Sequence, residues 1–150
     1  MVKSYHFRAA PAHLIRRTHQ IAMALFMQEV GGFDITPVQF AVLNALMDEP
    51  GQDQVSLAAR VAFDAATSGS VIGRLETKGW VRRRPDEKDR RRKRLWVTPQ
   101  GCAVVSQIRR AAVRTQRRLL EPLDPGEQEL LLEMLGRVIA RHEGLESVRS

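Results

Sequence analysis

Between Arg82 and Arg94 the segment RRRPDEKDRRRKR holds seven Arg and two Lys against two Asp and one Glu. No core can bury it, because charge taken from water without a partner is strongly unfavourable, so the fold must carry this segment at its surface. The flanks say how. WVRRR before it and RLWVT after it alternate or cluster apolar and β-branched residues around the turn-prone PDEKDRR, which predicts a β-hairpin with a charged tip. Of the chain's 24 basic and 17 acidic residues, nine and three lie in this stretch; elsewhere 15 and 14 remain, nearly balanced. The net charge of +7 is therefore local, and a local positive field favours a polyanion at one place.

Upstream of the hairpin the apolar spacing is helical. Leu14, Ile15, Ala22, Leu25 and Phe26 predict a long first helix from Pro11 to about Val30, stopped by a Gly pair. Thr36 before Pro37 is a cap followed by proline at the first helical position, and it opens a second helix with Val38, Ala41, Val42, Ala45 and Leu46 on one face. Ser56 can cap a short third helix and Asp64 a fourth, which Gly79 closes in the left-handed conformation. Downstream, Thr98-Pro99 opens a helix to about Leu120. Asp124, Pro125 and Glu127 form a capping box for a last helix, whose Leu130, Leu131, Met134, Leu135, Val138 and Ile139 make one side apolar. With 150 residues and 43% hydrophobic content the chain suits one domain, 1–150. The reading is mainly α with a small β-wing: a winged helix-turn-helix.

The same residues carry a family resemblance. Asp86–Gly101, DEKDRRRKRLWVTPQG, resembles the wing of the MarR family of bacterial transcriptional regulators, D-x-x-D-R-R then an apolar strand and L-T-x-x-G, with Val97 where leucine is usual. TPVQFAVLNAL, with Ile35, Thr36, Gln39 and Phe40, resembles the family's L-T-x-x-Q-W-x-V-L-x-x-L helix, and RLETKGWVRR its R-L-x-x-K-G-L-V-x-R segment. The resemblance spans about two-thirds of the chain in the right order. It implies dimerisation through the N- and C-terminal helices, about 8–30 and 99–146, around a winged helix-turn-helix over about 36–98.

The residue chemistry also points to double-stranded DNA. In the fourth helix Val71 and Leu75 can face the core, leaving Thr67, Ser70 and Arg74 at i, i+3 and i+7 with Ser68 beside them. Hydroxyls bond phosphates or base edges, and an arginine bonds guanine bidentately. Asp89 stands close enough to Arg90 and Arg91 to hold a guanidinium in one orientation; the resemblance implies that Asp89 orients while Arg91 enters a minor groove. Arg82, Arg83, Arg84, Arg92, Lys93 and Arg94 are expected on phosphates or in solvent. Four neutralised phosphates would give log affinity a slope of about −3.6 against log salt per subunit. Two recognition helices on a two-fold axis would reach major grooves about 34 Å apart on a near-palindromic operator.

The resemblance also implies a small anionic aromatic effector that releases DNA. His13, Arg16, Arg17 and His19 lie within two helical turns and suit a carboxylate and a ring substituent, with Phe40, Phe26 or Met23 as apolar walls. The stretches AHLIRRTHQIAMALF, ITPVQFAVLNAL and DQVSLAARVAFDAATSGSVIGRLE together are similar to a NicR-like subgroup controlling nicotinate and aromatic-acid breakdown, which suggests 6-hydroxynicotinate or a related acid. His6, His13, His19 and His142 form no metal-ligand pattern, so no metal or cofactor is expected. Cys102 is either a sensor thiol or an inert small helix residue, and it does not match the position used by the family's peroxide sensors. Without a nucleophile elbow, P-loop, dinucleotide fingerprint or HExxH, an enzyme is not expected. The competing class is a nonspecific architectural or RNA-binding winged helix. No run of eighteen apolar residues and no secretory signal appear, so a cytoplasmic chain without membrane contact is expected.

Overall fold

Three helices begin at a capping residue followed by proline, and each cap is made. The computed structural model describes residues 4–61 and 65–144. A 3-10 turn (Phe7–Ala9) precedes α1 (Pro11–Glu29), then follow α2 (Pro37–Asp48), α3 (Gln54–Arg60), α4 (Ala65–Thr77), β1 (Val81–Pro85), β2 (Lys93–Val97), α5 (Pro99–Leu120) and α6 (Pro125–His142). Thr36 Oγ1 accepts from Gln39 N at 3.1 Å while Gln39 Oε1 accepts from Thr36 N at 3.2 Å. Thr98 Oγ1 accepts from Gly101 N at 3.0 Å, and Asp124 and Glu127 close a capping box with both bonds at 2.9 Å. Each satisfies an amide that the first turn leaves without a helical acceptor.

The strands pair antiparallel with Val81 opposite Val97, Arg83 opposite Leu95 and Pro85 opposite Lys93. This is the expected hairpin, and with α2, α3 and α4 it makes the winged helix-turn-helix. Leu43 and Leu46 of α2, Leu57 of α3, Ile72 and Leu75 of α4, Leu95 of β2 and Ile108 of α5 are fully or almost fully buried together. No helix among the described residues is long and apolar enough to cross a membrane.

Several positions depart from the sequence reading. Asp53, not Ser56, caps α3: Asp53 Oδ1 accepts from Ser56 N and Oδ2 from Ser56 Oγ, both at 2.9 Å. A carboxylate three residues earlier takes both donors, so the helix starts sooner. Asp64 lies outside the described residues. In α2 the buried face is Gln39, Val42, Leu43, Ala45 and Leu46, while Ala41 is exposed; five elements surround this helix, which widens and turns its buried arc. In α4 Ile72 joins Leu75 in the buried core, and Val71 packs half-buried against it. Gly79 closes α4 at φ 78° as expected, its N–H donating to Glu76 O at 2.9 Å.

The terminal helices use their apolar residues differently from the centre. Of α1 only Phe26 is buried, and Leu14 and Ile15 are each 51% exposed. None of the residues of α6 is buried; Leu132 and Ile139 are both 61% exposed. The amphipathic pattern is real, and the core of one protomer does not absorb it.

The first turn of α5 is pressed onto the wing. A Cβ at Gly101 would overlap the Trp80 carbonyl oxygen and stand 2.7 Å from Val97 Cγ1. Gly101→Ala is therefore expected to cost about 1–3 kcal/mol, because backbone cannot yield as a flexible side chain does. Thermal denaturation followed by circular dichroism checks it, and an unchanged midpoint would contradict the packing.

Candidate nucleic-acid interface

The exposed face of α4 follows from its buried one. Ser68, Ile72 and Leu75, at i, i+4 and i+7, are fully buried, which turns Thr67, Ser70 and Arg74 to solvent. Three of the four residues expected to read DNA from this helix are thus exposed. Ser68 is not: its hydroxyl lies inside, on the core ridge, and cannot reach a groove. The helix is phased by Ile72, and that phase puts Ser68 under it.

The wing tip is tied by its acidic residues. Asp86 Oδ1 accepts from the backbone N–H of Lys88 at 2.7 Å and of Asp89 at 3.2 Å, and its Oδ2 accepts from Arg94 Nε at 2.5 Å. Asp89 Oδ1 accepts from the Arg91 backbone N–H at 3.1 Å and faces Arg91 Nε at 3.4 Å. Arg91 is held at its base while its side chain stays 94% exposed. Arg90 and Arg92 are exposed beside it. An open cleft lined by Gln54, Val55, Ser56, Arg91 and Arg92 separates wing from helices.

The basic run does not act as one cloud. Arg83 turns inward to Glu76 and Gln54, Arg94 is taken by Asp86, and Arg82 lies over the Trp96 ring at 5.2 Å. Arg83, expected on phosphates or in solvent, is instead an internal tie. Arg84, Arg90, Arg91 and Arg92 remain exposed for an anion.

The residues expected to hold an effector are only partly gathered. Arg16 Nη2 meets His13 Nδ1 at 3.0 Å, and the His13 ring lies 4.6 Å from Phe7, over which Arg16 also sits. Arg17 instead bonds Gln20 Oε1 at 2.8 Å, and His19 is exposed. Phe40 stacks on Phe26 at 5.5 Å; Phe26 lies 13 residues beyond His13, about 20 Å along α1 at 1.5 Å per residue. Within one protomer Phe40 is no wall for the His13 cluster. Phe7, across Pro11 in a separate turn, has no helical spacing that could have marked it, and neither do the partners of Arg83. Among the described residues no group of three His, Cys, Asp or Glu could hold a metal.

A recognition helix exposed on one face beside an arginine-tipped hairpin defines a winged-helix DNA-binding protein. A sequence model of the MarR family matches residues 33–92. The chain is 31% identical over 127 residues to the transcriptional regulator HosA of Escherichia coli, covering 85% of this chain and 93% of HosA. It is 30% identical over 131 residues to the transcriptional repressor NicR of Pseudomonas putida, covering 87% and 83%. The solved structure of Bordetella bronchiseptica BpsR, whose DNA binding is regulated by 6-hydroxynicotinic acid, superposes with a TM-score of 0.85 at 31% identity, over 91% of this chain and 97% of that one. The chain belongs to the MarR family. It is a DNA-binding transcriptional regulator, not an enzyme.

The Arg94 hydrogen bond, followed by those from the Lys88 and Asp89 amides, holds the Asp86 carboxyl at about 2, below its ordinary 3.8. A depressed carboxyl contributes stability that is complete above the unfolded value and disappears as pH falls through the folded one. Asp86→Asn should thus lower the melting temperature most above about pH 4, and the gap to wild type should close as pH falls toward about 2. Melting curves across that window check it; a constant gap would contradict the tie.

Proposed function

We propose that this chain is a homodimeric repressor that reads a near-palindromic operator in the cytoplasm and leaves it on binding a small aromatic carboxylate of the 6-hydroxynicotinate type. The observation that carries the reading is Arg91, fixed at its base by Asp89 and lining the open cleft between the wing and the helices, on a protein whose α4 exposes Thr67, Ser70 and Arg74. A side chain held before contact loses little entropy on insertion, and a narrow A·T-rich minor groove attracts it. The α4 face supplies hydroxyls and a guanidinium to a major groove. Arg84, Arg90 and Arg92 serve phosphates.

Dimerisation is supported by the uncovered apolar residues of α1 and α6: Leu14, Ile15, Leu132, Val138 and Ile139 are all at least half exposed. Faces of this kind at both chain ends suit an isologous interface between two copies. The effector reading is supported by Arg16, His13 and Phe7, which put a guanidinium, an imidazole and a ring in one cluster, and by two relatives: NicR is by name a repressor, and BpsR responds to 6-hydroxynicotinic acid. A nonspecific architectural or RNA-binding role is disfavoured by the tethering of Arg91, since binding by charge alone needs no fixed arginine.

The test is a mobility-shift assay on DNA upstream of the chain's own gene, with excess random duplex and a panel of aromatic carboxylates. Arg91→Ala is expected to weaken operator binding several-fold without changing fold or dimer, since it deletes an exposed charge-assisted contact; full binding by a folded variant removes the wing from the mechanism. Arg16→Ala is expected to raise the 6-hydroxynicotinate concentration needed for release by about ten-fold while operator affinity changes little. An unaltered response in that variant discards the His13–Arg16 cluster as the effector site.

A further inference from the structure

The one arginine of the wing that is turned inward spans three elements. Val81 and Arg83 share a strand face, so the register that buries Val81 also aims Arg83 at the helices. Arg83 Nε donates to Glu76 Oε1 at 3.0 Å, Nη2 donates to the same oxygen, and Nη1 donates to Gln54 Oε1 at 3.3 Å. Glu76 stands at the end of α4 and Gln54 opens α3. Gln54 also lies along α4, where a Cβ on Gly69 would be 3.5 Å from its Nε2. Arg83 and Glu76 side chains are only 29% and 34% exposed.

We propose that Arg83 is a positioning residue for DNA recognition: one planar guanidinium, bonded to Glu76 and Gln54, fixes the angle between the wing and the reading helix. The proposal rests on the DNA-reading face described above. The hairpin root is anchored by buried Leu95 and Val81 and by backbone bonds to Gly51, Gln52 and Trp80, and the Arg83 fork adds the side-chain tie from β1 to α3 and α4, a fork that an ammonium could not make. Specific binding needs Arg91 and the α4 face seated together. Nonspecific binding sums over separate phosphate charges and tolerates a swinging wing.

The experiment uses a duplex enriched from a random pool by the wild-type protein. Arg83→Gln should lower affinity for that duplex about ten-fold, leave affinity for random duplex unchanged, and keep the slope of log affinity against log salt. A phosphate contact would instead reduce that slope by about 0.9. Glu76→Gln, which removes a negative charge and should strengthen binding on electrostatics alone, should weaken specific binding as Arg83→Gln does. The swap Glu76→Arg with Arg83→Glu should recover much of it, which a general loss of stability would not allow. If Arg83→Gln does not fold, Glu76→Gln and the swap decide. Undiminished specific binding in Glu76→Gln, or a reduced salt slope in Arg83→Gln, overturns the clamp while leaving the DNA-reading face intact. A wild-type protein that enriches no sequence overturns both.

Discussion

Two strands of five residues do not hold themselves together in water, and the wing exists because Leu95 is fully buried beneath α2 and Val81 almost so. Around that anchor the backbone closes on several sides. Gly51 N donates to Leu95 O at 2.8 Å and Leu95 N to Gln52 O at 3.1 Å, so the segment before α3 runs as a partial third strand. Thr98 N donates to Trp80 O at 2.9 Å, and Thr98 Oγ1 to Gly79 O at 2.6 Å, which ties the end of β2 to the close of α4. The hairpin tip can carry so much charge because its root is part of the core.

The acidic residues near the wing have distinct tasks. Glu76 engages Arg83 toward the helices, Asp86 engages Arg94 across the hairpin, and Asp89 engages Arg91 at the tip. Each removes one arginine's freedom without hiding the charge of the whole, so the surface keeps a strong field and gains defined directions. At the other pole Glu29 accepts from Arg114 and Arg118, holding the end of α1 to α5, and those two guanidiniums keep its carboxyl below the usual range.

What the sequence made legible was set by local causes. Thr36-Pro37, Thr98-Pro99 and the Asp124 box are short-range devices, and their helices begin where the sequence reading placed them. The hairpin was readable because its charge has nowhere else to go. Ser68 was misread because Ser68 and Ser70 look alike in sequence, and only the packing of Ile72 decides which one is buried. Arg83 looked like its neighbours for the same reason, since Glu76 and Gln54 reach it through tertiary structure. Phe40 was grouped with His13, but within one protomer it stacks on Phe26 at the far end of α1 from His13, a pairing that no local spacing reveals.

The last helix stands on its caps. Its start is held by Asp124, Glu127 and the Gln128 amide, which donates to Leu120 O and Leu123 O, and it sinks no residue into the core. Its eighteen residues lack, within one chain, the buried packing that supplies most helical stability. In the dimer proposed above, order in α6 is then a collective property of two chains. In that dimer, dilution would melt this helix before it disturbs the buried centre, so the reading half of the molecule would outlast the half proposed to join a second copy.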